Sequence, residues 1–195
     1  MHLETHPLTP ARWADFMKLF GRNGACAGCW CMWWRLPLAQ WRAQKGAANR
    51  AAMRKLVHSP QPPGVLAYVD GRVAGWCAVG PRAVYPRLAN SRVLRPVDEQ
   101  PVWSVTCFFV AREFRRRGLM TTLLEAAAAF ARQHGATLLE GYPTEPARRQ
   151  ADAFMYTGLA SAFRRARFRE VARRSPSRPV CRRRLKITSR VAQPS

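Results

Sequence analysis

Residues 102–143 read VWSVTCFFVAREFRRRGLMTTLLEAAAAFARQHGATLLEGYP, and this stretch decides the fold. The segment Val102–Val110 is short and rich in β-branched and aromatic residues, which predicts a buried strand. Over Leu119–His134 the apolar residues recur at helical spacing, and Gly135 is suited to end the helix. The segment Thr137–Tyr142 predicts a second strand. The unit is therefore a strand, a basic turn that contains glycine, a helix and another strand.

The turn between this strand and helix is suited to bind a phosphate group. It runs from Arg115 to Met120 and reads RRRGLM. The first amides of a helix lack intrahelical acceptors, the helix dipole favours negative charge there, and arginines add forked donors. The turn lacks the Gly-Lys-Ser/Thr of a Walker loop and the three spaced glycines of a dinucleotide fingerprint. It therefore predicts a phosphate or pyrophosphate site of another kind.

This arrangement resembles motif A of the GNAT acyltransferase superfamily, in which the turn reads Arg/Gln-x-x-Gly-x-Gly/Ala. Arg115 and Gly118 match that pattern, whereas Met120 replaces the last small residue. The resemblance implies that backbone amides of the turn hold the pyrophosphate of acetyl-CoA and that the preceding strand end binds the pantetheine arm. The residues expected to bind acetyl-CoA are Phe108, Phe109, Val110, Arg115, Arg116, Arg117, Gly118, Leu119, Met120 and Thr121.

The order of the other predicted elements also resembles that of a GNAT domain. They are a strand at 2–6, a helix starting at 9–10, a helix at 37–58, a hairpin at 65–79, a loop at 82–100, a loop or partial helix at 144–158, a helix at 159–166, and strands at 168–174 and 180–187. We therefore expect one α/β (α+β) domain over residues 1–187, with a mixed, mostly antiparallel twisted central sheet flanked by helices. Residues 188–195 are expected to form a frayed basic tail.

The composition limits the classes of protein to which the chain can belong. No apolar run approaches the roughly 20 residues of a membrane span, and the first residues lack an apolar signal region. We therefore expect a cytoplasmic protein with no membrane partner, whose six cysteines are reduced thiols. The formal net charge is +22, and the segment 164–195 holds twelve arginines and lysines against one acid. Solvated arginines of compositional origin are the favoured explanation for this charge.

The same charge supports a rival function. A GNAT-like binding protein could use its arginine-rich C-terminal part to dock on RNA or on a ribosome. Binding of nucleic acid would weaken steeply with salt, whereas an enzyme would release CoA from acetyl-CoA in the presence of an amine. We favour the enzyme.

An unusual run of cysteines and tryptophans lies near the N-terminus. Cys26, Cys29 and Cys31 could bind a soft metal or form a redox pair, but the segment lacks a nearby fourth ligand and a thioredoxin-like context. We expect buried thiols and no metal. In the GNAT fold the first two helices and their linker lie over the acceptor side. We therefore expect the accompanying Trp30, Trp33 and Trp34 to form the acceptor-binding wall, with core packing as the alternative.

The candidate catalytic residues are Glu140 and Tyr142, which alternate onto one face of the strand beside the cofactor strand. Glu140 would accept the proton of the amine through water, and Tyr142 would position it or act as an acid. The alternative is that Glu140 pairs with an arginine. In many GNAT members a tyrosine protonates the leaving CoA thiolate, but Phe163 stands at that position here, and Tyr156 stands where those members have asparagine.

The predicted function is transfer of an acetyl group from acetyl-CoA to a primary amine by direct attack on the thioester. The acceptor would be a small molecule or a peptide. The sequence leaves open which acceptor this is, and whether the chain forms a homodimer.

Overall fold

The computed structural model describes residues 2–146 and 155–186. The strands are β1 (Leu3–Pro7), β2 (Gly64–Val69), β3 (Arg72–Pro81), β4 (Trp103–Val110), β5 (Leu138–Gly141), β6 (Arg169–Arg173) and β7 (Pro179–Arg184). The helices are α1 (Trp13–Phe20), α2 (Leu38–Ala43), α3 (Ala47–Val57), α4 (Pro86–Ala89), α5 (Leu119–Gln133) and α6 (Ala160–Arg165). The tail expected at 188–195 and most of the loop expected at 144–158 lie outside the described residues.

The strands form one open sheet in the order β1-β2-β3-β4-β5-β7-β6. Neighbouring strands are antiparallel except for β4 and β5, which are parallel and are joined by the crossover helix α5. This parallel pairing covers only Trp103–Val105 and Leu139–Gly141, although β4 continues to Val110. The sheet therefore opens between β4 and the chain that follows β5. The α/β fold with a mixed, mostly antiparallel sheet is confirmed.

Different helices pack on the two faces of the sheet. Leu123, Leu124 and Phe130 of α5 pack on the face that also carries Phe108 of β4. Phe16 and Phe20 of α1 pack on the opposite face, since they contact residues that alternate with the first set along the strands. A third cluster lies under the segment that follows β3 and contains Trp34, Tyr85, Leu88, Leu94, Tyr142 and Val180. The opening between β4 and β5 borders this third cluster.

Two of the predicted elements differ in the structure. The single helix expected at 37–58 is divided into α2 and α3 by a turn at Gly46, whose φ is +83°. The Gly46 amide donates to the Gly28 carbonyl at 3.0 Å, so a tertiary hydrogen bond replaces a helical one. The loop expected at 82–100 contains the short helix α4. No described helix is long and apolar enough to cross a membrane.

Phe163 closes the base of the opening from the α5 side. Its ring is 0% exposed and makes edge contacts with Phe108 and Phe168. It lies against two glycines: a Cβ added at Gly141 would lie 2.1 Å from the ring, and one added at Gly158 would lie 2.8 Å from it. The residue at the position of the tyrosine found in many GNAT members is therefore a core residue that requires glycine on both neighbouring segments.

We predict that Gly141→Ala lowers the free energy of unfolding by about 1–3 kcal/mol through overpacking against Phe163. Urea unfolding measures this loss. Gly80→Ala is the matched control, since the nearest atom to a Cβ there is 3.4 Å away. Combining Gly141→Ala with Phe163→Leu should recover part of the loss. Equal losses in the two glycine variants would contradict this packing.

Candidate active site

The free edge of β4 is the first part of the site. The register between β3 and β4 shifts at Ala78/Val79, which leaves Thr106 as an extra residue in β4. Beyond this bulge the Ala111 amide donates to the Ala74 carbonyl at 2.9 Å, so by alternation the amides of Phe108 and Val110 face away from β3. The Phe108 amide donates to the Tyr156 carbonyl at 2.6 Å. The Val110 amide is therefore the better placed of the two to meet a ligand in the opening.

The turn before α5 is the second part. Gly118 caps the helix with φ +80°, and the Thr121 amide donates to its carbonyl at 2.9 Å. The amides of Leu119 and Met120 therefore precede the first intrahelical hydrogen bond. A Cβ at Gly118 would meet no atom within 4 Å, so the space beside these amides is open. This turn fits a pyrophosphate, because the glycine gives the backbone its shape and the amides supply donors.

The arginines of the turn have different positions. The Arg115 side chain is half-buried, and its Nε donates to the Val110 carbonyl at 3.0 Å, which ties the turn to the end of β4. Arg116 and Arg117 are exposed, and the Arg117 guanidinium lies 5.8 Å from the Phe114 ring. Met120, at the position of the expected small residue, accepts the Leu159 amide on its sulfur at 3.2 Å. Arg115, Arg116 and Arg117 lie on the turn and Met120 lies in the first turn of α5. That these residues bind acetyl-CoA stays a prediction.

The comparisons with known proteins agree with this geometry. A model of the Acetyltransferase (GNAT) family matches residues 30–156, which is more than half of the chain. The chain belongs to the GNAT acetyltransferase family. Members of this family use acetyl-CoA. That the open turn and the strand edge of this GNAT chain hold it stays a prediction. No curated protein sequence matches the chain significantly.

Solved GNAT structures share the fold at low sequence identity. An acetyltransferase of the family from Streptococcus agalactiae has a TM-score of 0.55 and 15% identity, covering 94% of this chain and 95% of that one. PaiA N-acetyltransferase from Thermoplasma acidophilum, in complex with coenzyme A, has a TM-score of 0.52 and 11% identity, covering 94% and 99%. The ribosomal-protein-S18-alanine N-acetyltransferase from Escherichia coli has a TM-score of 0.51 and 10% identity, covering 98% and 99%.

Glu140 lies in a buried ionic network on the face of the sheet opposite α5. Its side chain is 1% exposed. One carboxylate oxygen accepts from Arg82 at 2.7 Å and from the Tyr142 hydroxyl at 2.6 Å, and the other accepts from Arg182 at 2.7 Å. Arg182 also forms a double hydrogen bond with Asp98. Of the two roles that the sequence leaves open for Glu140, this geometry favours the partner of arginines.

Tyr142 belongs to the same network. Its hydroxyl contacts Arg82, Ser104 and Glu140, and the ring is fully buried. Burial raises the pKa of the Tyr142 phenol well above its ordinary value, and the neighbouring Glu140 carboxylate adds to the rise. The Tyr142 hydroxyl therefore stays protonated and donates a hydrogen bond to the Glu140 carboxylate. This arrangement positions β5 against the segment after β3 rather than presenting a free acid to the opening.

The three tryptophans divide between the core and the site. Trp30 is 3% exposed and stacks on Phe20 in the cluster around α1, which argues against its predicted contact with the acceptor. Trp33 and Trp34 belong to the third cluster, and the Trp34 ring lies 6.5 Å from that of Tyr156. Because the Tyr156 carbonyl is bonded to β4, these two rings lie beside the opening. That Trp33 and Trp34 form an acceptor-binding wall stays a prediction.

The cysteines do not gather into a ligand set. All six are free, and Cys26 is exposed whereas Cys31 is buried. The Cys31 sulfur accepts the Trp76 indole N–H at 3.2 Å. Within residues 2–146 and 155–186 no three histidine, cysteine or acidic side chains converge as metal ligands. The expectation that the protein binds no metal remains a prediction.

Several residues of the site were not singled out by the sequence. Arg82 and Arg182 are two arginines among many, and no local pattern shows that both reach Glu140. In the sequence Tyr156 stands out only as a replacement for asparagine. No pattern marks Arg87 or Arg178 as a site residue, although each lies close enough to act on Tyr156 electrostatically. Contacts between residues far apart in the sequence identify them, and hydrophobic periodicity does not reveal such contacts.

We predict that acetyl-CoA raises the melting temperature of the protein by mass action and that Gly118→Asp abolishes the rise. The aspartate would enter the open space beside the amides and repel the pyrophosphate. The rise is measured relative to each variant's own melting temperature by thermal denaturation. Gly135→Asp is the control, because Gly135 also has positive φ and open surroundings but lies beyond the other end of α5. A rise retained in Gly118→Asp, or absent in the unmodified protein, would refute the assignment.

We predict that Glu140→Gln lowers the free energy of unfolding by about 3 kcal/mol, since Arg82 loses its counter-charge and Arg182 keeps only Asp98. Turnover per folded molecule should stay within about tenfold of the original, because a general base would cost at least about 10². Urea unfolding and steady-state kinetics measure the two effects. Glu125→Gln is the control, since Glu125 also pairs with an arginine, Arg183 at 2.8 Å, but is 47% exposed.

The opposite result would restore the catalytic role of Glu140. That result is a stable Glu140→Gln variant in which turnover falls by about 10²–10⁴ and recovers partly at high pH. The melting shift with acetyl-CoA should survive in either case, because the turn at Gly118 is unchanged.

Proposed function

We propose that the chain acetylates the primary amine of a small molecule by direct attack on the thioester of acetyl-CoA. The observation that carries the proposal is the opening between β4 and β5, with the unpaired edge of β4 on one side and the amides of the α5 turn at its end. Acetyl-CoA supplies the activated acetyl group when it is bound. The chain would bind its phosphates, align its carbonyl and provide a pocket for the amine.

The backbone would polarise the thioester carbonyl. The Val110 amide faces the opening, and Arg115 binds the carbonyl of the same residue at 3.0 Å, which fixes the end of the strand. A fixed amide costs little reorganisation when negative charge develops on an oxygen beside it. Leu119 and Met120 would hold the pyrophosphate through their amides, with Arg116 and Arg117 adding positive charge from the surface.

Removal of the proton from the amine would not need a carboxylate of the chain. On this face Glu140 is paired with Arg82 and Arg182, and Asp98 with Arg182. Glu145, which follows β5, is paired with Arg164 and Arg173. Accepting a proton at any of these three would break an ion pair. The positive surroundings also disfavour an ammonium ion, so the amine would enter in its neutral form. After it attacks the thioester carbon, the nitrogen would release one proton to solvent.

Tyr156 is the residue we propose as proton donor to the leaving thiolate. Phe163 offers no hydroxyl, and the Tyr142 hydroxyl is occupied in its network. Tyr156 is half-buried beside Trp34, and its carbonyl is bonded to the free edge of β4. Burial raises the pKa of its phenol, so the group holds its proton at neutral pH. A protonated phenol at this position can donate as the thiolate forms.

We predict that Tyr156→Phe lowers kcat by about 10² while the melting shift with acetyl-CoA is retained. The change removes only the hydroxyl, so binding at the α5 turn should be unaffected. Release of free CoA thiol measures kcat. Tyr68→Phe is the control, because it removes a hydroxyl that donates to Asp15 at 2.8 Å on the α1 face of the sheet. Loss of turnover in Tyr68→Phe, or full turnover in Tyr156→Phe, would count against the assignment.

Docking on RNA remains the second candidate. A concave basic surface below β5 and β7 includes Arg132, Arg167, Arg169, Arg184 and Lys186. None of these five has an ion pair with a described residue, and Glu125, the acid of this surface, is paired with Arg183. Such a surface suits a polyanion, and steep dependence of binding on salt is what would distinguish it from acetyl transfer.

A further inference from the structure

Two kinds of partly buried arginine lie around the third cluster. Arg82 and Arg182 are neutralised by Glu140 and Asp98. Arg87 and Arg178 have no acidic partner among the described residues. Within the described part of the chain Arg178 donates to the hydroxyls of Thr144 and Thr157, at 2.7 and 3.0 Å. A desolvated cation without a counter-ion is costly, so the unpaired members of this set need a physical reason.

Arg87 is the more exceptional of the two. Its guanidinium lies over the Trp33 ring with a centroid distance of 3.6 Å, which fixes its plane. Its Nη1 is shielded from solvent and has no acceptor in the described part of the chain. Burial lowers the pKa of Arg87, and the nearby Arg42 lowers it further. A buried donor left without an acceptor costs about 1–3 kcal/mol, more when it is charged.

The indole N–H of Trp34 adds a second donor of the same kind. Trp34 is buried, and its Nε1 has no acceptor in the described residues. Its ring lies beside both Trp33 and Tyr156, at centroid distances of 6.4 and 6.5 Å. Tyr156 in turn is bonded to the free edge of β4. The Trp33 indole N–H is a third donor without an acceptor among the described residues. All three belong to the aromatic cluster that contacts Tyr156, and we place the amine acceptor beside this cluster.

We propose that the acceptor is an amine that also carries an anionic oxygen group, a carboxylate or a phosphate, held by Arg87 and the Trp34 indole. This inference rests on the proposed function and specifies its substrate class. An anionic oxygen supplies the acceptor that both donors lack, and a guanidinium stacked on a ring is well suited to bind it. Arg178 would add long-range attraction for the same group.

The distribution of acids supports the same conclusion. A second cationic group on the acceptor would require a carboxylate free to bind it. On this side of the described structure Glu140, Asp98 and Glu145 each have an arginine partner, and the acid without an ion pair to a described residue is the exposed Glu99 next to Asp98. A polyamine or another acceptor with several positive charges would therefore meet Arg87 and Arg178 without compensation. The site discriminates against such acceptors by repulsion and in favour of zwitterionic or anionic ones by hydrogen bonding.

Binding is tested without any transfer reaction. The protein saturated with CoA is titrated with pairs of molecules that share a ring and differ in charge: indole-3-propionate with its amide, and phenyl phosphate with phenol. At least one anion should bind about tenfold or more tightly than its neutral partner, as a charge-assisted hydrogen bond implies. Arg87→Gln should remove this preference. Arg54→Gln, an exposed arginine of α3, should retain it.

Transfer is tested with amines paired in the same way. Tyrosine is compared with tyramine, and O-phosphoethanolamine with ethanolamine, by the ratio of kcat/KM for CoA release. The anionic member of at least one pair should be preferred about tenfold or more, and Arg87→Gln should bring that ratio close to one. A preference confined to the tyrosine pair identifies a carboxylate, and one confined to the phosphoethanolamine pair identifies a phosphate.

Failure of this inference and failure of the proposed function give different results. If no anion binds better than its neutral partner, or if the preference persists in Arg87→Gln, the inference is overturned even when amines are acetylated. If anions bind through Arg87 but no amine in a broad panel is acetylated and acetyl-CoA gives no melting shift, anion recognition stands and the proposed acetyl transfer fails.

Discussion

The early end of pairing between β4 and β5 is the constraint on which the rest of the structure depends. The two strands share three paired positions, and beyond Val105 and Gly141 no strand of the described residues lies beside the edge of β4. Without side chains that hold them apart, the unpaired edge of β4 and the chain that follows β5 would close together. Phe163 fills the base of the opening between Gly141 and Gly158, and the Tyr156 carbonyl takes up the Phe108 amide. The remaining edge is left for a ligand.

The ionic network around Glu140 fixes the other side of the opening. It joins β5 and β7 to the segment after β3, because Arg82 also donates to the carbonyls of Leu88 and Leu94. A buried ion pair of this kind adds little net stability, but removal of one member leaves a buried charge. The network therefore specifies one arrangement of this segment over the sheet. That segment carries Arg87, so the network also positions the residue that we assign to anion binding.

Local patterns in the sequence predict the strands and helices. Features that depend on contacts between distant residues cannot be predicted from those patterns. The stretch 102–143 contains the strand, the turn and the helix in its own periodicity, and the position of Gly118 follows from the conformation it must adopt. The break at Gly46 depends on a hydrogen bond to Gly28, eighteen residues earlier, and helical periodicity continues through it. Trp30 and Trp34 look alike in the sequence, yet only the path of the segment decides which ring enters the core. The partners of Glu140 are unpredictable for the same reason, since any of many arginines could have supplied them.

Because acidic side chains are few, it is informative which arginines have an acidic partner and which do not. With 33 basic side chains and 11 acidic ones, most arginines must remain without a counter-charge. An exposed arginine loses little by this, because water and salt screen it. A shielded one loses much more, so the scarce acids lower the energy most where arginines are buried, and Glu140 and Asp98 are placed there. Arg87 is shielded, stacked on Trp33 and still without an acid among the described residues. The chain neutralises Arg82 and Arg182 but leaves the half-buried Arg87 without an acid among the described residues, and this contrast, rather than the general excess of arginine, is the basis for assigning Arg87 to a ligand.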